Sequence, residues 1–297
     1  MKVHLVDGTY ELFRSHFGVP PASAPDGRPV GAVRGLIQTL LALLRQDDVT
    51  HVACAFDHVV ESFRNEMFSG YKTGEGVPDD LMGQFSLAEE AAAALGLVVW
   101  PMTEFEADDV IATAVSLWRD RAEVEQIVIC SPDKDLMQMV SGSTVVSLDR
   151  RNNIVYDEAG VIAKFGIPPD SIPDYLALVG DSADGIPGVP RWGAKTTATV
   201  LGRYGHIEQI PDHPYEWDVK VRGLQAAASN LAAHRSEARL YKQLATLRLD
   251  VPIEEDLDDL RWEGVPRRRF EELCVELGMT RLASLPHLWK GESSGKD

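Results

Sequence analysis

The chain has 297 residues and 44% of them are hydrophobic, enough to bury a core in one large domain or in a main domain with a smaller partner. Its 29 lysines and arginines stand against 46 aspartates and glutamates, which gives a formal net charge of −17. Taken alone, this balance argues against a nucleic-acid partner, because polyanion binding usually requires a basic surface. The distribution of the acids matters more than their sum, because bound cations can invert the field of an acidic site.

The cysteines are Cys54, Cys130 and Cys274, and they form no C-x-x-C motif. Cys54 and Cys130 lie within apolar runs, where a cysteine usually behaves as a small buried hydrophobic residue. This usage predicts a reducing, cytoplasmic setting. No signal sequence or membrane-spanning stretch is expected, since residues 2–6 lead directly into a strand-like run.

The first half of the chain alternates short apolar runs with helical spacing, which predicts an α/β fold with a mainly parallel central sheet flanked by helices. Strands are predicted at residues 3–6, 51–56, 97–100, 126–130 and 144–148. Helices are predicted at residues 33–44, 81–95 and 107–118. A small hairpin is expected between residues 145–148 and 154–156.

From about Phe165 the strand signals fade, and helical patterns follow at residues 174–179, 194–204 and 221–234. They predict a smaller helical domain. An amphipathic segment at residues 267–277 is expected to pack back onto the main body. The predicted organisation is an α/β core over residues 1–170, a helical domain over 171–290 and a disordered tail over 291–297.

Acidic residues follow the predicted strands. The acids at strand ends are Asp7, Asp57, Asp133 and Asp135, and a second acidic run at the start of a predicted helix contains Glu106, Asp108 and Asp109. Because the carboxyl ends of parallel strands share one edge, these carboxylates should converge there. Helix capping explains any one acid of the run. The whole set requires a cation, and so many oxygen ligands favour Mg²⁺ or Mn²⁺ over Zn²⁺.

A third acidic pair, Asp181 and Asp184, lies in a polar turn, where hydrogen bonding to the local backbone is the alternative role. The residues that follow resemble a glycine-containing turn leading into a helix; they are Gly188, Val189, Pro190, Arg191, Trp192, Gly193, Ala194, Lys195 and Thr196. Such a turn lets backbone amides approach a phosphate. A nucleotide-binding Walker loop is excluded, because Ala194 separates Gly193 from Lys195 and no strand precedes the turn.

An ordered series of short motifs resembles the 5′-nuclease family, which includes the amino-terminal nuclease domain of bacterial DNA polymerase I, phage 5′-exonucleases and flap endonucleases. The motifs are V-D-G-T-Y-E-L-F-R (6–14), A-F-D (55–57), S-F-R (62–64), G-Y-K (70–72), F-E-A-D-D (105–109), S-P-D-K-D-L (131–136), G-D-S-A-D-G-I-P-G-V (180–189) and G-A-K-T (193–196). The resemblance implies a free-standing member of the family. It also implies a PIN-like nuclease core, with a helical arch at about residues 66–95, and a helix–turn–helix DNA-binding domain.

The function that this resemblance implies is a metal-dependent 5′-3′ exonuclease and 5′-flap endonuclease, which acts in DNA replication and repair by two-metal phosphodiester hydrolysis. The implied ligands of two Mg²⁺ or Mn²⁺ ions are Asp7, Asp57, Glu106, Asp108, Asp109, Asp133, Asp135, Asp181 and Asp184. Lys72 and Arg64 are implied to neutralise charge on the phosphate. The implied DNA-binding residues are Arg14, Gly188, Val189, Arg191, Gly193, Lys195 and Thr196, and a bound K⁺ often accompanies this turn in the family. The implied partners are DNA molecules with 5′ flaps, nicks or ends.

The chain departs from the family pattern at a few positions. Glu75 stands where arginine is usual, Gly185 stands where asparagine is common, and Arg191-Trp192 precedes Gly193 where isoleucine is usual. The change at Glu75 is expected to affect the arch and to leave the metal site intact.

Three alternative functions share single features with this pattern. A haloacid-dehalogenase-like phosphatase would need an aspartate where Thr9 stands. A catalytically weak binder of DNA structures would give no reason for the clustered acids. An RNA-directed nuclease on a similar core remains open, because backbone contacts do not strictly distinguish the sugar.

Overall fold

The computed structural model describes residues 1–292, which divide into two compact units. The first unit contains Met1–Val60, Gly74–Ser131 and the chain from Leu249 onwards, and the second contains Glu61–Thr73 and Pro132–Arg248. Each unit therefore collects separate stretches of chain, whereas the predicted domains follow one another along the sequence. Most of the predicted disordered tail, residues 293–297, lies outside the described residues.

Across residues 1–292, no helix has both the length and the apolar character required to span a bilayer.

The first unit is built on parallel strands. They are β1 (Lys2–Asp7), β2 (His51–Asp57), β3 (Val98–Met102) and β4 (Gln126–Cys130), and their order across the sheet is β3-β2-β1-β4. β1 and β2 are buried along nearly their whole length, as is usual for parallel strands covered by helices. The predicted parallel α/β core is therefore confirmed.

Helices are numbered here along the whole chain. Those of the first unit are α1 (Gly8–Gly18), α2 (Gly31–Leu44), α4 (Asp79–Met82), α5 (Phe85–Ala94), α6 (Ala107–Trp118) and α12 (Arg267–Glu276). α1 is not among the predicted helices, because it follows β1 without a connecting loop and Asp7 serves as its N-cap. α12 packs against α5 within this unit.

The helix predicted at residues 81–95 is divided in the structure into α4 and α5. The break lies at Gly83 and Gln84, and the side chain of Gln84 is buried. Gln84 accepts a hydrogen bond from the Val33 N–H at 3.2 Å and donates one to the Asp80 carbonyl at 2.7 Å. Glycine favours the break, and the buried amide then fixes it through its tertiary hydrogen bond to α2, which periodicity cannot predict.

The second unit is mainly helical. Its helices are α3 (Phe63–Met67), α7 (Glu158–Phe165), α8 (Ile172–Val179), α9 (Ala194–Tyr204), α10 (Leu224–Ala233) and α11 (Arg235–Ala245). Strands β5 (Val145–Asp149) and β6 (Ile154–Tyr156) form an antiparallel hairpin. The predicted hairpin and the smaller helical domain are both confirmed. α11 was not predicted, because His234 alone separates it from α10.

Candidate metal centre and nucleic-acid interface

In the first unit, Asp7 and Asp57 end the neighbouring strands β1 and β2. The buried carboxylate of Asp7 accepts hydrogen bonds from the Tyr10 N–H at 2.8 Å and from the Ser131 hydroxyl at 2.9 Å. The carboxylate of Asp57 accepts a hydrogen bond from the N–H of Ala107, the first residue of α6, at 2.8 Å. The end of β2 is thereby joined to the start of the helix that carries the next acids.

The residues after Asp7 explain how this strand end is held. A Cβ atom on Gly8 would lie 2.4 Å from the Phe56 ring and 2.8 Å from the Ala55 carbonyl oxygen, so only glycine allows α1 to start this close to β2. The hydroxyl of Thr9 accepts a hydrogen bond from the Asp57 N–H at 2.8 Å. Thr9 and Ser131 were not among the predicted site residues, although both lie within the quoted motifs.

The start of α6 contributes the other acids of this unit. Glu106 is the N-cap residue, and the buried carboxylate of Asp109 accepts a hydrogen bond from the Glu106 N–H at 3.0 Å. Asp108, in the same turn, is half-buried. Glu106 and Asp109 therefore both take part in the N-terminal cap of α6. A carboxylate has lone pairs beyond those that one cap uses, so these acids remain candidate ligands.

In the second unit, four acids lie together: Asp133, Asp135, Asp181 and Asp184. Carboxylate oxygens of Asp135, Asp181 and Asp184 lie within 4.8 Å of one another. The Asp135 N–H donates a hydrogen bond to Asp133 at 3.0 Å, and Asp181 and Asp184 follow the end of α8. Two segments that are remote in sequence thus meet at one acidic cluster.

The environment of this cluster fits a hard divalent cation. Burial, followed by the charges of Asp133, Asp184 and Asp181, raises the pKa of Asp135 well above its usual range. Among residues 1–292, the Oδ1 atom of Asp135 is buried without a hydrogen-bond partner. A buried acceptor that lacks a donor, surrounded by other carboxylates, is a set of oxygen ligands that Mg²⁺ or Mn²⁺ would satisfy.

Two lysines contact the same cluster. Lys72 Nζ lies 3.1 Å from Asp184 Oδ1, and Lys134 Nζ lies 2.6 Å from Asp181 Oδ2. Burial opposes the charged form of Lys134, but the hydrogen bond and charge of Asp181 prevail and raise its pKa. Lys134 was not among the predicted site residues, although its place inside S-P-D-K-D-L, between two acids, was a usable signal.

The two predicted arginines occupy positions that favour structural roles. Arg64 is 1% exposed, and its guanidinium donates hydrogen bonds to the Leu244 carbonyl at 2.8 Å and to the Thr246 carbonyl at 3.3 Å. Arg14 pairs with the buried carboxylate of Glu11. An arginine on buried backbone carbonyls must give up those bonds to reach a phosphate. The predicted phosphate contacts of Arg64 and Arg14 therefore remain predictions.

The predicted phosphate-binding turn lies directly before α9. Gly188 has a φ angle of 75°, and a Cβ atom there would lie 2.6 Å from the Gly180 nitrogen, so a side chain does not fit. Trp192 is buried and donates its indole N–H to the Ala227 carbonyl at 3.1 Å, which accounts for a large side chain at this departure from the family pattern. Val189 is also buried, Thr196 is half-buried, and the exposed residues of the turn are Pro190, Arg191, Gly193, Ala194 and Lys195.

The amino terminus of α9 is open to solvent. Among residues 1–292, and apart from the chain neighbours of Gly193 itself, no atom lies within 4 Å of the position that a Cβ on this N-cap residue would occupy. The first turn of the helix contains no acidic residue. The backbone amides of this turn and the positive end of the helix dipole therefore have no acidic side chain of the same turn beside them. This arrangement suits an anionic ligand.

Comparisons with known proteins agree with this architecture. Residues 2–166 match the 5′-3′ exonuclease N-terminal resolvase-like domain, and residues 167–268 match the 5′-3′ exonuclease C-terminal SAM fold. The 5′-3′ exonuclease of Aquifex aeolicus is 31% identical over 281 residues, which cover 94% of this chain and 93% of that protein. The DNA polymerase I of Pseudomonas aeruginosa is 36% identical over 274 residues, 89% of this chain but 29% of the polymerase.

Solved structures share the fold. The T5 5′-exonuclease with bound zinc has a TM-score of 0.66 at 20% identity, over 82% of this chain and 89% of that one. The catalytic core of Rad2 in complex with a DNA substrate has a TM-score of 0.61 at 14% identity, over 96% of this chain and 90% of that one. The two family models together cover most of the chain, and the Aquifex relative matches over nearly its whole length. The chain belongs to the 5′-3′ exonuclease family.

Proposed function

We propose that the chain is a divalent-metal-dependent nuclease of DNA, a 5′-3′ exonuclease and structure-specific 5′-flap endonuclease of replication and repair. The observation that carries the proposal is the acidic cluster of the second unit, where carboxylate oxygens of Asp135, Asp181 and Asp184 lie within 4.8 Å of one another and Asp135 is buried. The T5 D15 flap endonuclease, solved with DNA and metal ions, supports it through a shared fold, with a TM-score of 0.64 at 18% identity. The buried cysteines support a cytoplasmic setting.

The acids of both units are the proposed ligands of two Mg²⁺ ions, for which Mn²⁺ would substitute. When bound, the ions would supply activation of the attacking water and neutralisation of charge on the leaving oxygen. The proposed ligands in the second unit are Asp133, Asp135, Asp181 and Asp184, and those in the first unit are Asp7, Asp57, Glu106, Asp108 and Asp109. In the hydrolysis, a P–O bond to the water oxygen forms and the P–O bond to the leaving oxygen breaks, while the water loses a proton and the leaving oxygen takes one up.

Lys72 is proposed to neutralise the negative charge that develops on the phosphate during this exchange. Its ammonium lies 3.1 Å from Asp184, at the edge of the acidic cluster. A lysine ammonium is a compact charge on a flexible stem, so it can turn from Asp184 towards a phosphate oxygen without movement of its backbone. A contact between Arg64 and the phosphate stays a prediction.

The turn at residues 188–196 is proposed to hold the sugar–phosphate backbone of duplex DNA. Backbone amides at the start of α9 and the exposed Lys195 would contact phosphates, which position the duplex without reading its bases. Binding of K⁺ at this turn is part of the proposal through the family resemblance. DNA with 5′ flaps, nicks or ends is the proposed substrate class.

Replacing Lys195 by alanine should weaken binding to duplex DNA of every sequence alike. One lost phosphate contact should reduce the slope of log binding constant against log salt concentration by about 1. Fluorescence anisotropy in EDTA, across a salt series and with several duplexes, measures both effects. Lys290→Ala is the control, because Lys290 is exposed and pairs with Glu263. An unchanged slope, or a loss confined to one sequence, would show that Lys195 does not contact phosphate.

Cleavage assays with labelled substrates test the proposed function directly. The panel contains a 5′-flap duplex, a nicked duplex, single-stranded DNA and the corresponding RNA, each with Mg²⁺, with Mn²⁺ and with EDTA. We expect the flap and the nicked duplex to be cut with either metal ion and to stay intact in EDTA. Absence of DNA cleavage with both metal ions would refute the proposal, and cleavage of RNA alone would favour the RNA-directed alternative.

A further inference from the structure

Both the backbone N–H and the backbone carbonyl of Lys72 are hydrogen-bonded within the second unit. Its N–H donates a hydrogen bond to the Asp184 carbonyl at 3.0 Å, and its carbonyl accepts one from the Asn65 side-chain amide at 2.9 Å. The preceding residue, Tyr71, is buried in the hydrophobic core of this unit. The ammonium of Lys72 therefore starts from a fixed backbone and ends 3.1 Å from the Asp184 carboxylate.

Gly185 allows this arrangement because it has no side chain. Its φ angle is 73°, and a Cβ atom there would lie 2.1 Å from the carbonyl oxygen of Gly70. A contact of that length to a backbone atom is impossible, so any larger residue must push the segment at residues 70–72 away or distort its own turn. The neighbouring hydrogen bond between the Lys72 N–H and the Asp184 carbonyl depends on the same approach.

Asn65 joins Lys72 to the start of α3. Its Oδ1 atom accepts a hydrogen bond from the Ser62 N–H at 2.8 Å, while its Nδ2 atom donates to the Lys72 carbonyl. The hydroxyl of Ser62 accepts in turn from the Arg64 N–H, which completes the helix cap. One asparagine therefore serves both as part of a cap and as the support of the lysine.

From these contacts we propose that Asn65 and Gly185 are positioning residues for Lys72 in the proposed cleavage reaction. Neither touches the substrate. Asn65 fixes the carbonyl side of the Lys72 backbone, and Gly185 permits the close approach that fixes its N–H side. The stem of Lys72 has a fixed length, so the region that its ammonium can reach moves with its backbone. The inference rests on the proposed function of Lys72.

The test compares Asn65→Asp with Ser62→Ala. Aspartate keeps an oxygen that can accept from the Ser62 N–H, so the cap of α3 is retained, but it cannot donate to the Lys72 carbonyl. Ser62→Ala weakens the same cap and leaves the Asn65 to Lys72 hydrogen bond in place. Gly185→Ala disturbs the other side of the lysine. Lys72→Met and the double variant Asn65→Asp with Lys72→Met complete the set, and melting temperatures record any loss of folding.

The expected result is a selective loss of turnover. Asn65→Asp and Gly185→Ala should lower kcat for a 5′-flap substrate roughly 10–100-fold, the scale of a misplacement by about 1 Å. KM and DNA affinity in EDTA should change by less than about twofold. Amide hydrogen exchange at Lys72 should accelerate in both variants and stay unchanged in Ser62→Ala, which should also keep its kcat. In the Lys72→Met background, Asn65→Asp should have no further effect on kcat.

The other outcomes separate the two levels of the proposal. Should Lys72→Met lower kcat while Asn65→Asp and Gly185→Ala retain the wild-type rate, the positioning inference fails and the role of Lys72 stands. Should Asn65→Asp lower kcat equally with and without Lys72, its effect does not pass through the lysine, and the inference is again overturned. A wild-type protein that cuts no DNA would overturn the proposed function itself, and the inference with it.

Discussion

Replacing Asp135 by asparagine is expected to lower the rate of DNA cleavage by at least about 100-fold, since even residues that only support metal ligands cost 10–100-fold when they are removed. Asparagine has nearly the same shape but no charge, so it removes a ligand and leaves the fold intact. Binding of duplex DNA in EDTA should stay within about twofold of the wild type, because the turn before α9 is unchanged. A variant with wild-type turnover at saturating Mg²⁺ would refute the metal-binding role of Asp135.

The same substitution should stabilise the protein when no metal ion is present. Asp135 is buried among three other carboxylates, and its Oδ1 atom has no hydrogen-bond partner among residues 1–292. Removing one charge from such a group relieves both repulsion and desolvation. In EDTA the melting temperature of Asp135→Asn should therefore exceed that of the wild type. Mg²⁺ should raise the melting temperature of the wild type more than that of the variant, because it binds the folded wild type better.

Asp149→Asn is the matched control for this experiment. Asp149 is also a buried carboxylate of the second unit, but its Oδ1 atom accepts hydrogen bonds from the N–H groups of Arg151 and Asn152, each at 3.0 Å. It belongs to the β5–β6 hairpin and not to the acidic cluster. The control should keep its cleavage rate, and its melting temperature should respond to Mg²⁺ as the wild type does.

Replacing Arg64 by methionine is expected to lower the free energy of unfolding by about 3 kcal/mol, since hydrogen bonds to charged groups contribute about 1.5–3 kcal/mol each. The guanidinium is buried and bonds the carbonyls of Leu244 and Thr246, at the carboxyl end of α11. Its removal leaves these carbonyls without that donor at the negative end of a helix dipole. Urea unfolding at constant temperature measures the loss.

Activity assays on the same variants separate stability from phosphate contact. Arg64→Lys keeps the charge but lacks the planar guanidinium group that bonds two carbonyls at once. The stability of this variant should therefore fall between those of the wild type and Arg64→Met. Arg239→Met, on the exposed side of α11, should change stability by no more than about 0.5 kcal/mol. Below the melting temperature, Arg64→Met should keep most of its kcat/KM. A 100-fold loss of kcat/KM with unchanged stability would restore the predicted contact with the phosphate.

The acids of the candidate site could be predicted from the sequence because the patterns that mark them are local. Asp7 and Asp57 each end an apolar strand, and Glu106 begins a helix, so simple rules of sheet and helix geometry identify them. The order of the short motifs adds the remaining acids. Arg64 shows the limit of this approach, since the same kind of motif pointed to a phosphate contact and the structure buries the side chain on backbone carbonyls.

The hydrogen-bond partners of the site residues could not be predicted from local patterns. No pattern near Asn65 indicates that its amide holds Lys72, and none near Gly185 indicates that it meets Gly70. The departure at Gly185 was visible in the sequence, but its cause is a backbone approach by a remote segment. The break between α4 and α5 has a similar origin, because Gln84 bonds the backbone of α2.

Strand and helix periodicity, strand-end acids and motif order were enough to predict the parallel α/β core, the smaller helical domain and the family, because they are properties of short stretches of chain. Three features could be read only from the folded chain: which carboxylate oxygen has no hydrogen-bond partner among residues 1–292, which predicted arginine is buried, and which residues hold Lys72. Those outcomes depend on where remote backbone segments come to lie. A buried polar group is stabilised or destabilised by the partners it finds there, and they belong to other parts of the sequence.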